Sequence, residues 1–265
     1  MTAADRCAGF RALHERNRLF LMPNPWDVGS ARLLAALGFE ALATTSQGFA
    51  WSIGKRDQTV TRDELVEHVA AVAAATPLPL NVDSERLYPD EPGGVAETVR
   101  LLADAGAAGC SIEDYDPAVG GLDDVTVAAE RVGAAAAVKG DVVLTARCES
   151  HLYGGSDPDD TIARLVAYRD AGADVVYAPG LTDLDQIARV VEAVQIPLNV
   201  LALPSTPSLA ELASAGVRRV STGSLLAGVA YGALLEGARE LREEGTSHYA
   251  EGGTWRNALT AAFDS

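Results

Sequence analysis

Two carboxylates close an apolar run in Leu78-Pro79-Leu80-Asn81-Val82-Asp83-Ser84-Glu85. The first half reads as a short strand entered through a proline. Residues two apart in a strand project to the same side, so extended backbone through Glu85 aims Asp83 and Glu85 at one point. Two hard oxygen donors there suit Mg²⁺, with Mn²⁺ as a substitute, because Mg²⁺ takes few protein carboxylates and keeps water or substrate oxygens in its other positions. A solvated acidic loop has the same pattern, and the rest of the chain must decide between the two.

The elements around this stretch alternate. Short apolar runs at 19–22, 41–45, 78–83, 109–113, 142–147, 174–178, 196–201 and 217–221 read as strands. Helical patterns separate them, at 28–37, 61–75, 95–105, 125–139, 158–171, 183–194 and 208–215, with a further helix at 4–17 before the first strand and helices at 222–243 and 254–263 after the last. Asp27, Thr61 with Glu64, Asp157-Pro158, Asp183 and Ser208 supply helix starts. Three Ala-Gly pairs (Ala105-Gly106, Ala171-Gly172, Ala215-Gly216) end helices just before a strand. Eight such alternations imply a parallel sheet closed into a (β/α)8 TIM-type barrel, with residues 1–265 as one domain.

Composition narrows the partners. The chain has 265 residues, 48% of them hydrophobic, enough for one large core, and a formal net charge of −16. Such an acidic chain repels nucleic acid and anionic membrane surfaces, so neither is expected as a partner. No apolar run reaches spanning length, and the N-terminal residues read as an amphipathic helix. Three scattered cysteines, Cys7, Cys110 and Cys148, point to a reducing cytoplasmic setting and not to a disulfide framework.

Barrel active sites form at the C-terminal ends of the strands. In chain order those ends deliver Asn24, Trp26 and Asp27; Ser46, Gln47 and Gly48; Asp83 and Glu85; Glu113 and Asp114; Arg147 and Glu149; Pro179 and Gly180; Asn199; and Ser221 and Gly223. Carboxylates beside an arginine can bind a divalent metal together with a small anionic acid, and the Arg147 fork matches a carboxylate or phosphate. Ser46 and the amides of Gln47 and Gly48 could hold a second anionic end. Two structural alternatives stand beside this: an ion pair of Arg147 with Glu113, and a satisfied core amide at Asn199. Cys148 alternates away from the site and reads as packing. His151 reads as a loop histidine that could serve as an acid or base.

Several segments come in a familiar order: Thr45-Ser46-x-Gly48, Gly54-x-Arg56-Asp57, Asp83-x-Glu85, Ser111-Ile112-Glu113-Asp114, Thr145-Ala146-Arg147 and Pro197-Leu198-Asn199-Val200. Over roughly residues 8–245 the chain resembles the isocitrate lyase and phosphoenolpyruvate mutase superfamily. The resemblance implies a homodimer or homotetramer whose last helix is swapped between subunits. It implies Mg²⁺ held mainly by Asp83, with Glu85, Glu113 and Asp57 supporting through water. It also implies 2-oxo acid or enol phosphate substrates and a pyruvate-like enolate. On that pattern Ser46, Gln47 and Gly48 bind the carboxylate or phosphate end, with Trp26 and Asn199 nearby, and Arg147 stabilises the oxyanion. The 49–59 segment resembles a gating loop hinged at Gly54 that brings in Asp57.

The departures also matter. Where the lyases carry Lys-Lys-Cys-Gly-His, this chain has Tyr115-Asp116-Pro117-Ala118-Val119-Gly120-Gly121. Where they place a glutamate after the sixth strand, it has Ala178-Pro179-Gly180, and the histidine and asparagine of the phosphonate mutases are missing too. Glu85 stands where a second aspartate is usual. These differences argue against isocitrate cleavage. They leave decarboxylation, C–C hydrolysis, an aldol-type step, or P–C chemistry of the carboxyvinyl-carboxyphosphonate or phosphoenolpyruvate mutase type. The rival expectation is a non-catalytic barrel that binds a small dicarboxylate.

Overall fold

In the computed structural model, which describes residues 2–153, 155, 157–251, 253 and 255–263, the eight apolar runs become strands, and a two-stranded hairpin brings the described strands to ten. They are β1 (Phe20–Met22), β2 (Leu42–Ala43), β3 (Leu80–Val82), β4 (Gly109–Glu113), β5 (Tyr115–Asp116), β6 (Gly121–Leu122), β7 (Val143–Arg147), β8 (Val175–Tyr177), β9 (Leu198–Leu201) and β10 (Arg219–Ser221). Eight of them form one sheet in the order β1-β10-β9-β8-β7-β4-β3-β2. All of its ladders are parallel. The gap between β1 and β2 is bridged where Ala43 N–H donates to the Pro23 carbonyl at 3.1 Å and Asn24 Nδ2 donates to the Thr44 carbonyl at 2.7 Å. The result is the expected (β/α)8 barrel.

The helices are α1 (Ala3–Glu15), α2 (Val28–Ala36), α3 (Ser46–Ser52), α4 (Arg62–Ala75), α5 (Gly94–Asp104), α6 (Val125–Ala136), α7 (Pro158–Asp170), α8 (Leu184–Val194), α9 (Leu209–Ser214), α10 (Leu225–Glu243) and α11 (Trp255–Phe263). Their starts are set by the caps read from sequence: Asp27, Thr61, Asp157, Asp183 and Ser208 each accept a first-turn backbone N–H. Gly106, Gly172 and Gly216 take positive φ just past α5, α7 and α9, which ends each helix and turns the chain back into the sheet. The last helix begins within the described residues at Trp255, and residue 254 of its expected span lies outside them. In this chain α11 packs on α2, and among the described residues no helix is long and apolar enough to cross a membrane.

Helix α1 seals the N-terminal end of the barrel. Phe10, His14 and Phe20 meet edge to face, with ring centroids 4.7 Å (Phe10–His14) and 5.0 Å (His14–Phe20) apart. Gly109 makes this plug possible, because a Cβ there would stand 2.6 Å from the Phe10 ring and 2.9 Å from the Val143 carbonyl.

Two local expectations are corrected, and one hairpin is added. Residues 46–59 are not irregular from their start: Thr45 caps the short helix α3. The peptide N–H groups of Ser46 and Gly48 are therefore helix N-terminal donors. Extended backbone does not persist to Glu85. Strand β3 ends at Val82, Glu85 has φ +48°, and Leu87 N–H closes a turn on the Ser84 carbonyl. The segment after β4 also holds a hairpin, β5–β6, whose turn at 117–120 ends on Gly120 at φ +67°. Gly109→Ala is expected to lower the unfolding free energy by about 2 kcal/mol through overpacking of the plug, as a lower urea midpoint would show.

Candidate active site

The strand ends surround a cavity of about 210 Å³. Period-2 alternation explains its lining: Asn81 and Asp83 from β3 and its exit, Ser111 and Glu113 from β4, Thr145 and Arg147 from β7, and Arg219 and Ser221 from β10 all point inward.

Arg147 sits at the centre of the upper part. Its guanidinium contacts Asp83 Oδ1 at 2.5 Å, Glu149 Oε1 at 2.7 Å and Glu113 Oε2 at 3.4 Å, and it lies 5.3 Å from the Tyr177 ring centroid. The expected Glu113 pair is thus one arm of a larger network. Burial alone would lower the arginine's pKa, but Glu149, Asp83 and Glu113 outweigh it and hold the pKa well above its ordinary value. For the acids burial wins instead. Burial raises Glu113 and Glu149, with repulsion from neighbouring carboxylates adding to it while Arg147 opposes it.

Asp83 is fixed on both sides. Its own N–H donates to Thr44 Oγ1 at 2.9 Å, and its Oδ2 accepts the Ser46 N–H at 3.0 Å. Segment 53–60 folds over the mouth. Asp57 and Gln58 line the cavity, and Gln58 Nε2 donates to Glu113 Oε1 at 2.9 Å. Burial, then repulsion from Asp83, raises the pKa of Asp57. Gly54, at φ +72°, lies in open space.

The expected site residues separate into two groups. Ser46, Gln47, Asp57, Asp83, Glu113, Arg147 and Asn199 line the cavity. Asn199 is also a satisfied amide: it donates to Ser221 Oγ at 2.9 Å and accepts from Arg219 Nε at 2.9 Å. Trp26, Gly48 and Glu85 do not line it. A Cβ on Gly48 would stand 3.1 Å from the Trp26 Cβ, so those two residues pack α3 against the chain entering α2. Glu85, turned by its positive φ, faces a neighbouring groove with Gln58 and Tyr88. Asp114 points away and ties β4 to α7 through Tyr168 (2.6 Å) and Arg164 (3.3 Å). Cys148 is buried outside the cavity, and His151 bonds Thr161 Oγ1 at 3.1 Å.

Several lining residues escaped the strand-end reading: Gln58, Tyr153, Tyr177 and Arg219. Arg219 carried a signal, since it stands two residues before the inward-facing Ser221. Tyr153 carried none, because its place depends on stacking against Tyr115, with ring centroids 3.6 Å apart.

Among the described residues no three His, Cys, Asp or Glu side chains stand preassembled as a metal cluster. The donor chemistry nevertheless suits a hard cation. All the acids here are oxygen donors, and Asp57 Oδ1 and Glu85 Oε1 are buried without a partner. Burial, then Asp83 and Asp57, pushes the Glu85 carboxyl up to about 8.

A barrel with a buried, polar, carboxylate-rich centre at the C-terminal strand ends is the architecture of an enzyme. The chain matches the family described as phosphoenolpyruvate phosphomutase over residues 10–242 and belongs to that family, within the phosphoenolpyruvate mutase/isocitrate lyase superfamily. It is a lyase- or mutase-class enzyme. It is 48% identical, with a TM-score of 0.93, to a protein of Burkholderia cenocepacia J2315 provisionally named a lyase/mutase, covering 99% of this chain and 97% of that one. It is 32% identical to oxaloacetate decarboxylase of Paraburkholderia xenovorans over 81% of this chain and 74% of the relative. An oxaloacetate acetylhydrolase solved with its product oxalate is 27% identical, with a TM-score of 0.86, covering 98% of this chain and 94% of that one.

Glu85 generates a stability prediction for the metal-free protein. With its carboxyl raised to about 8 in the fold, the native state holds a proton that the unfolded chain has lost between about pH 4.5 and 8, so stability falls as pH rises through that window. Glu85→Gln is expected to match wild type near pH 5 and to exceed it at pH 8 by up to about 4 kcal/mol, measured by urea unfolding at both pH values.

Proposed function

We propose that the chain is a Mg²⁺-assisted enzyme that makes or breaks a C–C or P–C bond in a small 2-oxo acid or enol phosphate, by way of a pyruvate-like enolate. The observation that carries this reading is the buried contact of Arg147 with Asp83 at 2.5 Å, flanked by Glu113 and Glu149. It supports a reading in which a cation able to stabilise an oxyanion lies beside the first candidate metal ligand. The metal would be held by Asp83, with Asp57 and Glu113 supporting it from within the cavity. When bound it supplies Lewis-acid polarisation of the 2-oxo group and the adjacent carboxylate.

The chain's own groups do the rest. Arg147 faces the charge that develops on the enolate oxygen, in a site where burial strengthens the interaction. Ser46 and Gln47, at the start of α3, offer helix N-terminal polarity to the carboxylate or phosphate end. The Gln58–Glu113 bond holds the 53–60 segment over the mouth and excludes water. Leu152, Tyr153 and Pro179 line one side of the cavity and can hold the part of the substrate beyond the bond that changes. The names of the relatives, oxaloacetate decarboxylase and oxaloacetate acetylhydrolase, favour a C–C reaction of a 2-oxo acid over P–C chemistry. The three cysteines are buried and free, which supports a cytoplasmic setting. A homodimer or homotetramer is the expected assembly.

The second reading is a non-catalytic dicarboxylate binder. It draws on the β5–β6 hairpin, which offers no cysteine, lysine or histidine where the lyases carry their acid. One experiment separates the two: product formation from a panel of 2-oxo acids with and without Mg²⁺, together with calorimetric binding of oxalate. The enzyme reading expects Mg²⁺-dependent product and Mg²⁺-dependent oxalate binding, and expects Asp83→Ala to abolish both. Full activity of Asp83→Ala would refute the site, and binding without any product favours the binder.

A further inference from the structure

An enolate is discharged by a proton, and the β5–β6 hairpin has no cysteine, lysine or histidine to give one. The hairpin is nevertheless firmly anchored. Arg86 pairs with Asp116 at 3.0 Å and with Asp123 at 3.2 Å, Arg131 also pairs with Asp123, and these four side chains are largely buried. Asp123 N–H donates to the Asp114 carbonyl at 2.8 Å. What the anchored hairpin presents is the Tyr115 ring, stacked on Tyr153 with centroids 3.6 Å and planes 10° apart. Two rings in such close parallel contact fix each other's orientation.

Tyr153 reaches the cavity because the chain coils just past Arg147. Its N–H donates to the Glu149 carbonyl at 3.2 Å, and Gly155 N–H donates to the Ser150 carbonyl at 2.8 Å. Gly180, at φ +88°, lets this coil come close, since a Cβ there would stand 3.0 Å from the His151 Cβ. Tyr153 then lines the cavity while remaining 44% exposed, and among the described residues its hydroxyl has no hydrogen-bond partner. Burial, then the charges of Glu113, Glu149, Tyr115 and Asp57, pushes its phenol up to about 12, so it keeps its proton at neutral pH. The other acids of the lining are engaged. Asp83 and Glu149 are held by Arg147, and Glu113 is shared between Arg147 and Gln58. Tyr177 is only 8% exposed, lies against the Arg147 guanidinium and is bonded to Ser221, so water cannot readily restore a proton it gives up. Asp57 serves the proposed metal position.

We infer that Tyr153, oriented by Tyr115 on the anchored hairpin, is the proton donor to C3 of the enolate. The Tyr153 O–H bond breaks, its proton goes to C3, and the enolate electron pair forms the new C3–H bond as the C2 carbonyl is restored. The phenolate left behind takes a proton from water at the mouth, where the ring is exposed. Tyr115 is a positioning residue in this scheme and exchanges no proton. The inference rests on the proposed enolate reading and names the group that ends the reaction.

The test follows proton delivery directly. Enolpyruvate, released from phosphoenolpyruvate by a phosphatase, is mixed with the enzyme and Mg²⁺, and its conversion to pyruvate is timed by absorbance. Calorimetric binding of oxalate, which needs no proton, is measured beside it. The wild type is expected to accelerate the conversion. Tyr153→Phe, which keeps the ring and its stack, should lower kcat by ~100-fold or more and leave KM and the oxalate Kd within about twofold. Tyr115→Leu should lower kcat by ~10-fold at unchanged KM, and Tyr115→Phe should restore it. The inference is overturned if Tyr153→Phe converts enolpyruvate as fast as wild type, or if it weakens oxalate in proportion, which would make the ring a binding wall. A wild type that binds oxalate through Asp83 and Mg²⁺ but does not speed the conversion overturns it as well. Acceleration that needs the Tyr153 hydroxyl, without any oxalate binding dependent on Asp83 and Mg²⁺, would instead sink the metal-site reading and leave the donor standing.

Discussion

A single buried guanidinium organises the upper half of this barrel. Arg147 is held by Asp83 at the end of β3, Glu113 at the end of β4 and Glu149 just past its own strand. In a low-dielectric interior none of these groups can lose its partner cheaply, since an orphaned buried charge costs on the order of 3–5 kcal/mol. The network therefore fixes the relative positions of neighbouring strand ends. Burial first, and then more negative charge than one arginine neutralises, raises the pKa of the surrounding acids, and that excess makes the centre receptive to a further cation.

The same constraint gives the cavity a direction. Its mouth is acidic around Arg147, and its floor carries Arg219 above the Phe10–His14–Phe20 plug. Helix α1 thus does more than cap the barrel, because His14 fixes one face of the floor guanidinium. At the mouth, the 53–60 segment is tied back by the Gln58–Glu113 bond, which links the covering loop to the charged network through one neutral amide. A neutral latch of this kind is worth about 1 kcal/mol, weak enough to open and close.

Much of the fold was legible because its signals are local. Helix caps at Asp27, Thr61, Asp157, Asp183 and Ser208, and Ala-Gly stops before the strands, act over three or four residues and do not depend on the rest of the chain. The site was legible in part for the same reason: alternation from Asp83, Glu113 and Arg147 points inward wherever the strand continues. It failed at Glu85, where the strand had already ended and a left-handed residue turned the side chain aside. It failed at Trp26 and Gly48, which pack against one another across the start of α3. Nothing local distinguishes such a contact from a ligand contact.

By itself, the sequence determined the eightfold alternation, the parallel barrel and the strand ends that carry carboxylates and Arg147, because periodicity, capping and turn residues are properties of neighbouring positions. Only the tertiary structure decided which acids pair with Arg147. It also decided that Glu85 stands outside the cavity and that Arg219, 72 residues on from Arg147, shares the cavity with it. Those facts depend on closure of the sheet and on the desolvation that closure imposes. Burial and charge pairing are set by which distant strands become neighbours, and no spacing along the chain records that.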